Sequence, residues 1–154
     1  MLVFERTTDY ALIKSIATHP RNYVASSDDF SASPEEWEPI EHESVWYVLA
    51  KDGDEFLGMF VFMPENAVCW KAHICLLPNA YGEKAREAGQ GIIRWVFEHT
   101  VCERIIGDIE EENELALKYV YDLGMVRYGL NPDSKKRCGT LRNQVLVGMS
   151  KSWV

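Results

Sequence analysis

The chain has little positive charge. Its 154 residues carry 16 Lys and Arg against 24 Asp and Glu, a formal net charge of −8. Nucleic-acid and anionic-membrane binding need a basic footprint, so neither partner class is expected. Cysteine is also sparse. Cys69, Cys75, Cys102 and Cys138 form no CxxC pair, which argues against a zinc ribbon, a redox motif or a disulfide framework. Free thiols in a reducing compartment follow, and a cytoplasmic location is the expectation. No apolar run approaches the roughly 18 residues of a membrane helix. The opening MLVFERTTDY has neither the basic nor the apolar region of a secretory signal. No repeat or low-complexity tract is present.

What is present is ordinary for a globular chain: 47% hydrophobic and 26% charged residues, enough to build a core without a structural metal. The length suits a single domain over residues 1–154. Residues 2–6 read as a strand. Asp9 is placed to cap a helix over Tyr10 to Thr18, with Leu12, Ile13, Ile16 and Ala17 on one stripe. His19-Pro20 ends it. Residues 21–43 show no clear period and are rich in acidic side chains. They read as a surface connection, with one short helix starting at Ser33-Pro34; a lid over a substrate site is the functional alternative.

A strand meander follows: 45–51, a turn at Asp52-Gly53-Asp54, 55–63, a turn at Pro64-Glu65-Asn66, then 68–77. In the third strand Val68, Trp70, Ala72, Ile74 and Leu76 share an apolar face. Cys69, Lys71, His73, Cys75 and Leu77 share a mixed one. A long amphipathic helix spans about 83–99, with Ala85, Ala88, Ile92, Val96 and His99 on one side. Gly89 and Gly91 inside it imply a neighbouring backbone or a ligand at close range. Residues 104–109 read as a strand. Asn113 caps a helix running to Leu123 that buries Ala116, Tyr119, Val120 and Leu123, and Gly124 closes it. Residues 126–130 and 142–149 read as final strands joined by the basic loop NPDSKKRCGT. The order β-α-(irregular)-βββ-α-β-α-ββ predicts an α/β fold, a three-layer mixed sheet with helices on both faces.

The stretch LLPNAYGEKAREAGQGIIRWVFEHT, residues 76–100, is the most informative. It runs from strand through a glycine-bearing loop into a helix N-terminus. There, free backbone N–H groups and the helix dipole favour an anion. With HICLLPNAYGEKAREAGQGIIRWVFEHT, CERIIGDIEEENELALKYVYDLGM and the terminal LRNQVLVGMSKSW, the chain resembles the GNAT superfamily of acetyl-CoA-dependent N-acetyltransferases. It is similar in particular to the subgroup that acetylates protein N-terminal amines and to small phage-borne GNAT-like proteins. The resemblance implies acetyl-CoA as cofactor, held by Leu76 and Leu77 of the strand, by Tyr81, Gly82, Glu83, Lys84, Ala85 and Arg86 of the loop and helix start, and by Asn113. It also implies direct attack of an acceptor amine on the thioester, with the acceptor a protein or a small molecule.

The sequence departs from the family pattern in two places. Tyr81 stands where the loop usually has arginine, and Glu83 adds a negative charge that Lys84 and Arg86 can offset. The acidic tyrosine seven positions after the asparagine is replaced by Val120, flanked by Tyr119 and Tyr121. Tyr121 is therefore the candidate acid and His73 the candidate base or proton relay. For each the simpler reading is a packing or surface role. Cys69, His73 and Cys75 on one strand face lack a second pair of ligands, so no metal site is expected. Cys75 has no identified base partner for nucleophilic chemistry. Glu110 to Glu112 read as a solvated run, with Glu110 the one member suited to orient an amine. The alternative to catalysis is a scaffold role in assembly or DNA transfer, as a homo-oligomer or with phage assembly partners.

Overall fold

The computed structural model describes residues 1–154. Its elements are β1 (Leu2–Thr7), α1 (Tyr10–Ala17), α2 (Pro20–Ser26), β2 (Trp46–Asp52), β3 (Glu55–Pro64), β4 (Cys69–Leu76), α3 (Gly82–His99), β5 (Arg104–Glu110), α4 (Glu114–Asp122), β6 (Val126–Arg137) and β7 (Thr140–Ser150). A short 3-10 turn over Lys151–Trp153 follows. No helix is long and apolar enough to cross a membrane.

The seven strands form one sheet in the order β1-β2-β3-β4-β5-β7-β6. Every neighbouring pair is antiparallel except β4 and β5. The larger core lies under α3 and α4. There Ala88, Ile92, Ile93, Val96 and Phe97 of α3 and Val120 of α4 meet Val48, Phe60, Trp70, Leu76, Ile105, Val145 and Val147 of the sheet. On the other face Ile13, Ile16 and Ala17 of α1 cover Tyr47, Leu49, Met59, Val61 and Cys75. Helices on both faces of a mixed sheet are what the element order predicts.

Local signals account for most boundaries. The Asp9 carboxylate accepts from the Leu12 N–H at 3.1 Å and starts α1. The Asn113 side chain accepts from the Ala116 N–H at 3.2 Å and starts α4. Gly124, at φ +99, takes the left-handed conformation just past that helix.

Five expectations need correction. Residues 21–43 are not one irregular segment: α2 occupies their start. Pro20 sits at the first position of α2, where its missing N–H costs nothing, and His19 accepts from the Arg21 N–H at 3.3 Å. The helix expected at Ser33-Pro34 is a single turn, in which the Ser33 carbonyl accepts from the Glu36 and Trp37 N–H groups. The basic segment read as a loop is strand, since β6 and β7 form a long hairpin that turns at Cys138-Gly139. His99 is exposed and stacks on Trp95 at 5.1 Å between ring centroids, so it does not join the buried stripe. Nor do the two helix glycines face a neighbouring backbone: both meet side chains of the protein itself. A Cβ at Gly91 would lie 2.7 Å from the Phe4 ring, and one at Gly89 would overlap the Tyr119 hydroxyl.

Candidate active site

The β4–β5 pairing is short. Cys69, Trp70 and Lys71 pair with Arg104, Ile105 and Ile106, and then the strands part. Hydrogen-bond alternation tells which backbone groups face the opening. The Leu77 N–H donates to the Leu57 carbonyl at 2.9 Å, and Cys69 accepts from Glu65. Odd-numbered residues of β4 therefore bond to β3, and Ala72, Ile74 and Leu76 turn their backbone groups toward β5. On β5, the Glu111 N–H donates to Asn143, and the Glu103 carbonyl accepts from Lys151. Odd positions there bond to β7, leaving Asp108 turned toward the opening. The opening is thus a wedge between two strand edges, both with unpaired donors and acceptors, able to take an extended chain as an added strand.

The wedge runs toward the start of α3. That helix has no side-chain cap, and Tyr81 precedes it in extended conformation. Gly82 opens the helix at φ +56 with open space around it, a conformation glycine adopts without strain. The first N–H groups of α3 are therefore available to an anion. Charge nearby is balanced. Arg86 pairs with Glu83, and Lys84 binds Glu55 at 2.8 Å. Asn79 ties the same Glu55 and the Phe56 carbonyl, at 2.8 and 2.9 Å, and so fixes the loop to β3.

The floor of the wedge on the α1–α2 face is polar. Lys71 lies 3.2 Å from Asp108 and 3.5 Å from Glu65. Burial pulls its ammonium pKa down, but the two carboxylates outweigh burial and raise it. His73 stands next on the same face and makes no side-chain hydrogen bond to the protein. Burial lowers its pKa, while Asp108 opposes the shift and Lys71 and Lys135 add to it. The imidazole is therefore neutral at pH 7 and able to accept a proton. Burial pushes the Cys75 thiol up to about 12, which leaves it protonated and unreactive.

Further along, Glu110 is 10% exposed and receives Arg137 at 2.6 Å and Lys135 at 3.0 Å. Burial alone would raise the Glu110 pKa, but the two cations hold it below the usual carboxylate range. The hairpin bearing those cations is clasped to the end of α2. Arg137 donates to the Ser27 carbonyl at 2.8 Å, and Lys135 to that of Ala25 at 3.4 Å. The Asp29 carboxylate accepts from the Cys138 and Gly139 N–H groups at 2.6 and 2.8 Å.

The structure thus brings together Leu76, the loop from Tyr81 to Arg86 and the polar floor around His73. Tyr81 is 73% exposed at the loop, and Ala85 offers its carbonyl to the Tyr119 hydroxyl at 2.6 Å. Leu77 has its N–H committed to β3, and the Asn113 side chain is committed to capping α4. Val120 is buried in the core, while Tyr121 is 40% exposed on α4 and forms no hydrogen bond through its hydroxyl. His73 and α4 belong to opposite faces of the sheet. Glu110, expected in a solvated run, lies under two cations. Sequence reasoning did not single out Asp108, Lys135, Arg137, Arg142 or Tyr23. The available signal was alternation: Asp108 and Glu110 share one strand face, as do Lys135 and Arg137 once 126–137 is read as strand.

A parted mixed sheet, with a long helix starting at the mouth of the wedge, is the GNAT acyltransferase fold. Among solved structures, the chain is similar to spermidine N-acetyltransferase from Vibrio cholerae in complex with CoA and spermine. The two share 15% identity over 98% of this chain and 96% of that one, with a TM-score of 0.81. It is also similar to a protein described as a phosphinothricin N-acetyltransferase, at 16% identity over 97% of this chain and 98% of that one, TM-score 0.70. No protein-family profile matches the sequence, and no curated protein is similar to it by sequence.

Proposed function

We propose that the protein is an acetyl-CoA-dependent N-acetyltransferase that acetylates a primary amine. The observation that carries this reading is the parting of β4 and β5 beside the uncapped start of α3. The residues present fit the cofactor. The α3 N–H groups suit a pyrophosphate, and the edge-facing groups of Ile74 and Leu76 suit an amide-bearing arm that runs in as a strand. Glu83 is paired by Arg86 and does not stand as a bare charge at the phosphate position. When bound, acetyl-CoA supplies an acetyl group activated as a thioester.

The chain's own residues handle the amine. Asp108 and Glu65 put negative charge beside Lys71 on the wedge floor, which favours approach of an ammonium group. His73, kept neutral by burial, takes the proton from the acceptor amine at a ring nitrogen. The fold of the similar structures, whose names are those of N-acetyltransferases, supports the same reading. Thiol release from acetyl-CoA, measured against a panel of polyamines, amino acids, aminoglycosides and peptides, tests it. Amine-dependent thiol release is expected. A protein that binds acetyl-CoA but turns over with no amine would contradict it.

A further inference from the structure

The polar floor is divided by sign along its length. At the β4 side, one cation, Lys71, is shared by two carboxylates, Asp108 and Glu65. At the β6–β7 side, one carboxylate, Glu110, is shared by two cations, Lys135 and Arg137. Lys135 is 13% exposed, the least of any cation held in an ion pair here. Asp28 and Asp29 also lie near Arg137, but Asp28 accepts from the Phe30 N–H and the Ser31 hydroxyl, and Asp29 is exposed at the hairpin tip with both oxygens engaged by backbone N–H groups.

The positive end also holds unused hydrogen-bonding capacity. Two side-chain atoms in the protein are buried without any partner, the Tyr23 hydroxyl and Arg142 Nε. Arg142 pairs in register with Lys135 and so shares its face. Its guanidinium reaches only an outlying carboxylate, Glu112, at 3.5 Å. Tyr23 lies on α2, the helix whose last turn and C-cap supply the carbonyls that bind Lys135 and Arg137. A buried polar atom without a partner forfeits its hydration with nothing in return, which destabilises the protein. Two such atoms, one on the strand paired with Lys135 and one on the helix that binds Lys135 and Arg137, fit a site that an anionic ligand completes.

We propose that the acceptor is a zwitterion of amino-acid type, with its ammonium group at the Asp108–His73 end and its carboxylate, or a comparable small oxyanion, at the Lys135–Arg142–Tyr23 end. The inference rests on the acetyl-transfer reading for the fate of the amine, but not for binding. A cationic polyamine matches the first end and is repelled by the second.

The test is calorimetric titration of the whole protein, with and without saturating CoA. The probes are four amino acids paired with the amines left by their decarboxylation: L-phenylalanine with phenethylamine, L-histidine with histamine, L-lysine with cadaverine and L-leucine with isoamylamine. Spermidine is added as the polyamine. At least one amino acid is expected to bind tenfold or more tightly than its partner amine. Tyr23→Phe and Arg142→Gln should reduce that advantage severalfold while leaving the amine's own affinity unchanged. Tyr23→Phe removes only an unpartnered hydroxyl, so the variant keeps its fold, and a packing role alone would leave binding unmoved. Amines equal to or tighter than their amino acids in every pair, spermidine as the tightest probe, or no amino-acid binding at all would each overturn the proposal. Failure of CoA to bind would instead count against acetyl transfer, and the titrations without CoA still decide the question of the zwitterion.

Discussion

His73 carries the chemistry at the residue scale. Its mixed strand face was legible, because alternation in 68–77 puts it with Lys71 and Cys75. Its environment was not, since Asp108 arrives from a strand 35 positions later. Replacing His73 by Gln should lower kcat by about 10²–10⁴-fold with little change in acetyl-CoA affinity, measured by steady-state thiol release. The wild-type rate should be flat at neutral pH and fall as pH drops through a value below 6.5, since burial depresses this pKa. The sign for stability is the same. The unfolded chain binds the proton more readily than the folded one, so the neutral imidazole's contribution is present above 6.5 and lost as pH falls through the folded pKa. A mutant that keeps wild-type kcat would remove His73 from the mechanism.

Two elements frame the site. In α3 the amphipathic pattern, the open N-terminus and the need for small residues were all legible. What the glycines touch was not, because Phe4 and Tyr119 come from distant strands and helices. Gly91→Ala forces a Cβ toward the Phe4 ring at 2.7 Å and should cost about 1–3 kcal/mol by denaturant unfolding. The second element is the β6–β7 hairpin. Its centre reads as loop because NPDSKKR is polar and contains a proline. It is strand because β6 is the sheet edge, with an irregular register between Asn131 and Lys135 and Asp133 at φ +52. Asp29→Ala removes the acceptor for two N–H groups at the hairpin tip. Amide exchange at Cys138 and Gly139 should accelerate selectively, while core strands keep their protection. Unchanged exchange at those two amides would mean that the clasp does not hold the tip. The backbone N–H groups of Gly139 and Cys138 also hold the Asp29 carboxyl below its usual range. The clasp should therefore persist in mild acid and loosen only as pH falls through that lowered value.

At the scale of the whole molecule, the element order was readable because each helix and most strands carry their own signals. Asp9 and Asn113 cap, Gly124 stops, and the meander alternates. The missed helix, α2, is only seven residues long, and the Pro20 that starts it is also what ends the helix before it. The strand order and the parting of β4 from β5 were not readable residue by residue. They depend on which edges meet, and no local signal along the chain records that. The central claim is that this parted sheet and the start of α3 hold acetyl-CoA, and thermal unfolding with increasing acetyl-CoA, alongside calorimetry, tests it most directly. At 100 times Kd the account predicts about 2.7 kcal/mol of added stability. For a domain of this size that is a rise of roughly 5–10 °C in Tm, with one saturable site. No shift and no heat at millimolar acetyl-CoA would contradict it.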